Sequence, residues 1–131
     1  PVTLEPVARS AKIAMTAPVT AEPVAADASM ATASQWRIQF VMPGQYSMQT
    51  LPKPVNPAVS LRELPARTFA VLSYSGLNTA SKVQQKTDEL TAWMRSRQLE
   101  PVGAAQLARY DPPWTLPMWR RNEIQVEVKN P

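Results

Sequence analysis

The sequence predicts an α+β fold in which a short-stranded antiparallel sheet curls on itself and carries one long helix. Three observations lead there. Apolar and polar residues alternate in short segments separated by turn formers, which is the period of a half-buried strand. One stretch, residues 79–98, is free of glycine and proline and repeats its apolar residues at helical spacing. Finally, 131 residues with 44% apolar and 18% charged content suffice for a single core.

The elements follow in chain order. Residues 1–10 read as an irregular leader, and residues 11–129 as a single domain. Ala11 to Thr20 is a first strand segment, and the small-residue run from Pro23 to Ala33 reads as a loop. Trp36, Ile38 and Phe40 alternate with Arg37 and Gln39, giving a strand with one apolar face. Ser47 to Leu51 and Val59 to Glu63 are weaker strand segments. Between them, Leu51-Pro-Lys-Pro-Val-Asn-Pro57 cannot lie inside a sheet, because each proline removes a ladder donor. Thr68 to Tyr74 is rich in β-branched and aromatic residues, and Ser75-Gly76 ends it. Val102 to Arg109 and the alternation Ile124, Val126, Val128 complete about seven strands. In the helix, Asn78 or Thr79 is positioned to cap. Val83, Leu90 and Trp93/Met94 share one face, to which Lys86 and Arg97 add aliphatic stems.

The residue inventory excludes much chemistry. With no cysteine there is no disulfide, thiolate nucleophile or iron–sulfur ligation, and with no histidine there is no imidazole base or ligand. The ten acidic residues are scattered, which disfavours a carboxylate metal cage. A net charge of +4 invites an anionic partner. Yet the basic residues form no stripe, and no aromatic–basic pattern of the kind that binds RNA accompanies them, so no nucleic acid partner is predicted. No apolar run approaches the roughly 18 residues of a membrane span. The chain opens without methionine, as a trimmed or processed chain does, and its compartment, cytoplasm or bacterial envelope, is left open.

Two segments carry a family resemblance. Lys12-Ile-Ala-Met-Thr-Ala-Pro-Val19 resembles the signature of the SOUL haem-binding protein family, as does Arg109-Tyr-Asp-Pro-Pro-Trp-Thr-Leu-Pro117 followed by Arg120-Arg-Asn-Glu123. Phe40-Val-Met-Pro43, the Leu51 turn and the Val71 to Gly76 strand end fall between them in the family's order. The resemblance covers about residues 11–128. It implies a distorted antiparallel β-barrel with two helices, built from two pseudo-symmetric strand-helix-strand-strand halves and related to effector-binding domains. Nothing before Lys12 resembles the family's first strand and first helix. The chain therefore reads as the C-terminal two-thirds of that fold, either a fragment or a processed product. Self-association at the open edge is an expected consequence.

The function so implied is non-enzymatic binding of haem or another tetrapyrrole, as carrier or buffer. Such a ligand needs an apolar slot and donors for its propionates. By matched position, Ile13, Met15 and Tyr110 line the slot. Apolarity and proximity to the motifs add Leu90, Leu107 and Met118. Arg109, Arg120 and Arg121 are the candidate propionate clamps, since guanidinium pairs carboxylates bidentately. Without histidine or cysteine, Met15 and Tyr110 are the nearest candidates for iron.

Plainer roles stand beside these. Met15, inside an alternating strand, reads more readily as core filler than as a ligand contact, and Tyr110 equally as a buried tyrosine bonding the loop backbone. Arg120 and Arg121 are placed to pair with Glu123 or Asp111, Asp111 to form a local turn, and Trp114 and Trp119 to anchor their loop on the sheet. Competing functions are an effector-sensing domain, a protein-interaction module using the Pro52–Pro57 loop, and limited acid–base work by Tyr74 or Tyr110.

Overall fold

The computed structural model describes residues 18–25, 29–30 and 32–130. The chain divides into two compact units, Pro1–Thr16 with Met42–Pro65, and Ala17–Val41 with Ala66–Pro131.

All described strands of the second unit belong to one antiparallel sheet: β1 Val19–Pro23, β2 Trp36–Phe40, β3 Thr68–Tyr74, β4 Gln106–Arg109 and β5 Asn122–Val128. Their order across the sheet is β2-β1-β4-β5-β3. The one α-helix among the described residues, α1, spans Ala80–Ser96 between β3 and β4, and a short 3-10 turn, Pro117–Trp119, precedes β5.

Register assigns the two faces. Phe69 pairs with Glu127, Val71 with Gln125 and Ser73 with Glu123, while Ala70 meets Val126 and Leu72 meets Ile124. Alternation along each strand therefore puts Ala70, Leu72, Leu107, Ile124, Val126 and Val128 on one face. The helix packs on the β3–β5 half of that face through Val83, Leu90 and Met94, forming the core cluster with those residues. Buried positions 83, 90 and 94 are spaced at the helical repeat, with half-buried Thr87 between them. Trp93 departs from the sequence reading: it lies beside the buried stripe, almost half exposed, with the Arg97 guanidinium 5.7 Å from its ring.

The helix starts where Thr79 accepts a hydrogen bond from the Lys82 N–H at 3.2 Å. It ends two residues before the predicted boundary, and the cause is local. Gln98 adopts φ 57°, its N–H donates to the Arg95 carbonyl, and the Leu99 N–H reaches back to the Met94 carbonyl. This reversal is normally occupied by glycine, because a Cβ is strained there. We expect Gln98→Gly to raise stability by about 1 kcal/mol, read as a higher urea midpoint at unchanged slope.

The barrel and the seven strands are corrected. Among the described residues there are five strands, and the sheet is not closed, with β2 and β3 at its edges. Two of the predicted strands, Ser47–Leu51 and Val59–Glu63, are turns and irregular chain in the other unit. There the Ser47 N–H donates to Thr50 Oγ1, the Leu51 N–H to the Ser47 carbonyl, and the Ala58 N–H to Asn56 Oδ1. Side chains that satisfy the backbone locally compete with a ladder, and the intervening prolines offer no donor. Of the segment Val102–Arg109 only the last four residues are strand. Pro101 instead forms an isolated bridge to Val128, and the Val102 N–H donates to the Glu127 carbonyl.

Candidate functional site

The connection from β4 to β5, residues 110–121, is a stiff loop with an apolar exterior. Prolines at 112, 113 and 117 fix its backbone. The Arg121 N–H donates to Asp111 Oδ2 at 2.6 Å, pinning the end of the loop to its beginning. Asp111 thus closes the loop across ten residues rather than making the local turn predicted for it. Arg120 braces the middle, with Nε donating to the Thr115 carbonyl at 2.7 Å and Nη2 to the Pro113 carbonyl. The 3-10 turn is held to the end of β3, where the Gly76 N–H donates to the Pro117 carbonyl at 2.9 Å. Gly76 sits at φ 103°, a conformation open to glycine. Its carbonyl accepts from Asn122 Nδ2, and Asn122 Oδ1 accepts from Asn78, which in turn accepts from the Tyr74 hydroxyl.

This bracing holds large apolar side chains in water. Trp114 is 77% exposed, Trp119 70% and Met118 67%, with Leu116 also exposed. The two tryptophans therefore do not anchor the loop, contrary to the plainer reading; backbone and arginine hydrogen bonds do so instead. Exposed indoles on an ordered loop offer a preformed apolar surface.

Behind the loop, on the sheet face opposite the helix, lies a polar network centred on Glu123. Its carboxylate is almost fully buried and accepts from the Tyr110 hydroxyl at 2.7 Å, Gln125 Nε2 at 2.8 Å, Ser73 Oγ at 3.2 Å, and Arg121 at 2.6 and 3.1 Å. Gln106 extends the chain by donating to Gln125 Oε1. The Arg121 guanidinium also lies 4.5 Å from the centre of the Tyr110 ring. Burial pushes the Glu123 carboxyl up, but the bonds from Tyr110, Gln125 and Arg121 outweigh it and hold the group below the usual glutamate range. Tyr110 moves the other way, raised first by burial and then by its bond to the carboxylate.

Of the described residues singled out from sequence, the structure gathers five at one loop and places two in the core. Ile13 and Met15 lie outside the described residues. Leu90 and Leu107 are buried in the core between α1 and the sheet. Tyr110, Met118, Arg120 and Arg121 all belong to the 110–121 loop, and exposed Arg109 immediately precedes it. Arg121 pairs with Glu123, as the plainer reading has it, whereas Arg120 is held by loop carbonyls. Sequence reasoning missed Ser73, Gln106, Gln125 and the central role of Glu123. The usable signal was the polar alternation of Glu123 and Gln125 with apolar Ile124 and Val126 along one strand.

The family model described as SOUL heme-binding protein matches residues 6–127 of the chain. No curated protein and no solved structure gives a significant match.

Proposed function

The chain belongs to the SOUL haem-binding protein family, and from that membership we propose that it binds haem or a related tetrapyrrole on the 110–121 loop, as a carrier or buffer without chemistry of its own. The observation that carries the reading is the braced loop with Trp114, Met118 and Trp119 held in solvent. A porphyrin is a flat apolar plate with carboxylates on one rim. Indole faces suit the plate, and a stiff loop loses little freedom on binding it.

The described residues fit the porphyrin better than they fit its iron. Exposed Arg109 and the outer part of Arg121, beside the loop, are cations for the propionates. For the metal, histidine and cysteine are absent from the sequence. The Tyr110 and Tyr74 hydroxyls are committed to Glu123 and Asn78. Met118 offers a thioether on the same loop. Bound haem would supply only its own redox and absorbance properties. The protein's residues would hold the plate, screen one side of it from water and neutralise its rim.

Affinity on this reading comes from the macrocycle, so hemin and metal-free protoporphyrin are expected to bind with similar dissociation constants. Titration followed by Soret absorbance and tryptophan quenching tests this. Saturable one-to-one binding of both, weakened about tenfold or more in the double variant Trp114→Ala/Trp119→Ala, is the expected result. Both side chains are exposed, so the variant's thermal melt should match the wild type. A folded protein without saturable binding of either porphyrin, or a double variant that binds as the wild type does, rejects the loop as the site.

A further inference from the structure

Strand β2 has a sequence that is symmetric in character about its centre. Reading outward from Ile38, Arg37 and Gln39 are polar, and Trp36 and Phe40 are aromatic. It is also an edge strand, paired on one side only among the described residues. The Val24 N–H donates to the Gln35 carbonyl, which makes that pair hydrogen-bonded. With Val19 opposite Phe40 and Pro23 opposite Trp36, the alternation of an antiparallel ladder turns the Arg37 and Gln39 backbone toward β1. The N–H and carbonyl groups of Trp36, Ile38 and Phe40 then face outward. Pro23, which has no N–H, occupies a non-bonded pair and leaves the ladder intact.

Trp36, Ile38 and Phe40 are 40%, 52% and 57% exposed, and they lie on the same sheet face as the core residues of β3, β4 and β5. The helix packs on β3 and β5, at the other end of the sheet. We propose that β2 pairs antiparallel with β2 of a second copy of this chain across a two-fold axis at Ile38, joining two sheets into one of ten strands. In that register Ile38 meets Ile38, and each Trp36 meets a Phe40. Each Arg37 meets a Gln39, so no like charges face each other. The outward groups of residues 36, 38 and 40 exchange about six backbone hydrogen bonds, and the aromatic pairs form continuous apolar rows on one face. Arg37 and Gln39 both donate to Glu22 Oε1 on the opposite face, bonds made within the sheet and not at its outer edge. The other edge lacks these properties: self-pairing of β3 about Val71 sets Thr68 against Tyr74 and Phe69 against Ser73, and α1 already covers its core face.

A five-residue ladder is smaller than the roughly 1,200–2,000 Å² of a standard stable interface, so the dimer is reversible. Sedimentation velocity of the full chain from about 1 to 100 µM should show a concentration-dependent monomer–dimer equilibrium, with or without porphyrin. Ile38→Lys and Ile38→Glu each place like charges opposite one another at the axis and should weaken the dimer at least tenfold, with melts close to wild type because the position is exposed. Mixing the two variants places Lys against Glu and should restore dimers of one chain of each kind. A wild type that is monomeric throughout, a dimer indifferent to both substitutions, or a mixture that fails to recover overturns the proposal and assigns the edge to another occupant.

Discussion

Glu123→Ala is expected to lower unfolding free energy by about 2–4 kcal/mol, read from urea unfolding at neutral pH. The side chain is almost fully buried and is the common acceptor for Tyr110, Ser73, Gln125 and Arg121. Removing it leaves a tyrosine hydroxyl, a serine hydroxyl and a glutamine amide without their acceptor, and unsatisfied groups of this kind dominate the cost. The ion pair itself contributes less, since the Arg121 side chain is 62% exposed and water replaces the carboxylate around it. Glu123→Gln keeps the shape but turns an amide donor toward other donors, so an intermediate loss is expected. The pH dependence has a definite sign. A carboxyl held below its unfolded value binds fewer protons when folded, so its contribution is complete above the unfolded glutamate value and disappears as pH falls through the folded one. Below about pH 4, the stability of the wild type should fall more steeply than that of Glu123→Ala. An equal slope in both proteins would show that the carboxyl titrates alike in the folded and unfolded chains, and a shallower slope in the wild type that it is protonated in the folded protein.

How much of this was legible in the sequence differs by element, and the differences have physical causes. Strands β2 and β5 and the body of α1 followed from local periodicity, and β3 from its β-branched and aromatic residues; alternation marked the apolar face of β2 without showing that this face stays exposed. The loop between β4 and β5 was marked by its prolines and by the family motif. Boundaries fared worse. Pro23 read as the start of a loop, yet it ends β1, since its partner Trp36 asks it for no hydrogen bond. The helix stopped early because Gln98 took a left-handed turn that residue propensity does not favour. Sheet closure was not legible from local pattern at all, because it depends on whether two edges distant in sequence meet.

The candidate site shows the same division. Tyr110, Arg120 and Arg121 were visible as a motif, but their employment was not. Glu123 became the hub only through register: β3 brings Ser73 opposite it, and β4 places Ala108 opposite it with Tyr110 two residues on. Neither alignment is written in the residues flanking Glu123. Conversely, exposed tryptophans violate the expectation that large aromatics are buried, and such violations tend to fall where function is carried.

Leu90→Ala separates packing from ligand contact, since a slot-lining residue and a core residue give opposite patterns. Leu90 is 2% exposed and sits with Val83, Met94 and the wholly buried Ile124 in the layer between α1 and the sheet. Truncation removes buried methyl groups and leaves a cavity that the flanking strands and helix close only in part. The expected loss is about 3 kcal/mol, a fall of roughly 10 °C in melting temperature. Ile124→Ala, on the strand beneath, should cost a similar amount. Because both side chains belong to one cluster, the double variant is expected to depart from the sum of the two, as residues that share a cavity do. Porphyrin affinity, measured well below the melting temperature of each variant, should stay within about twofold of wild type. If Leu90→Ala instead melts like the wild type and loses porphyrin binding, the ligand reaches the helix–sheet layer, and the 110–121 loop is its mouth rather than its seat.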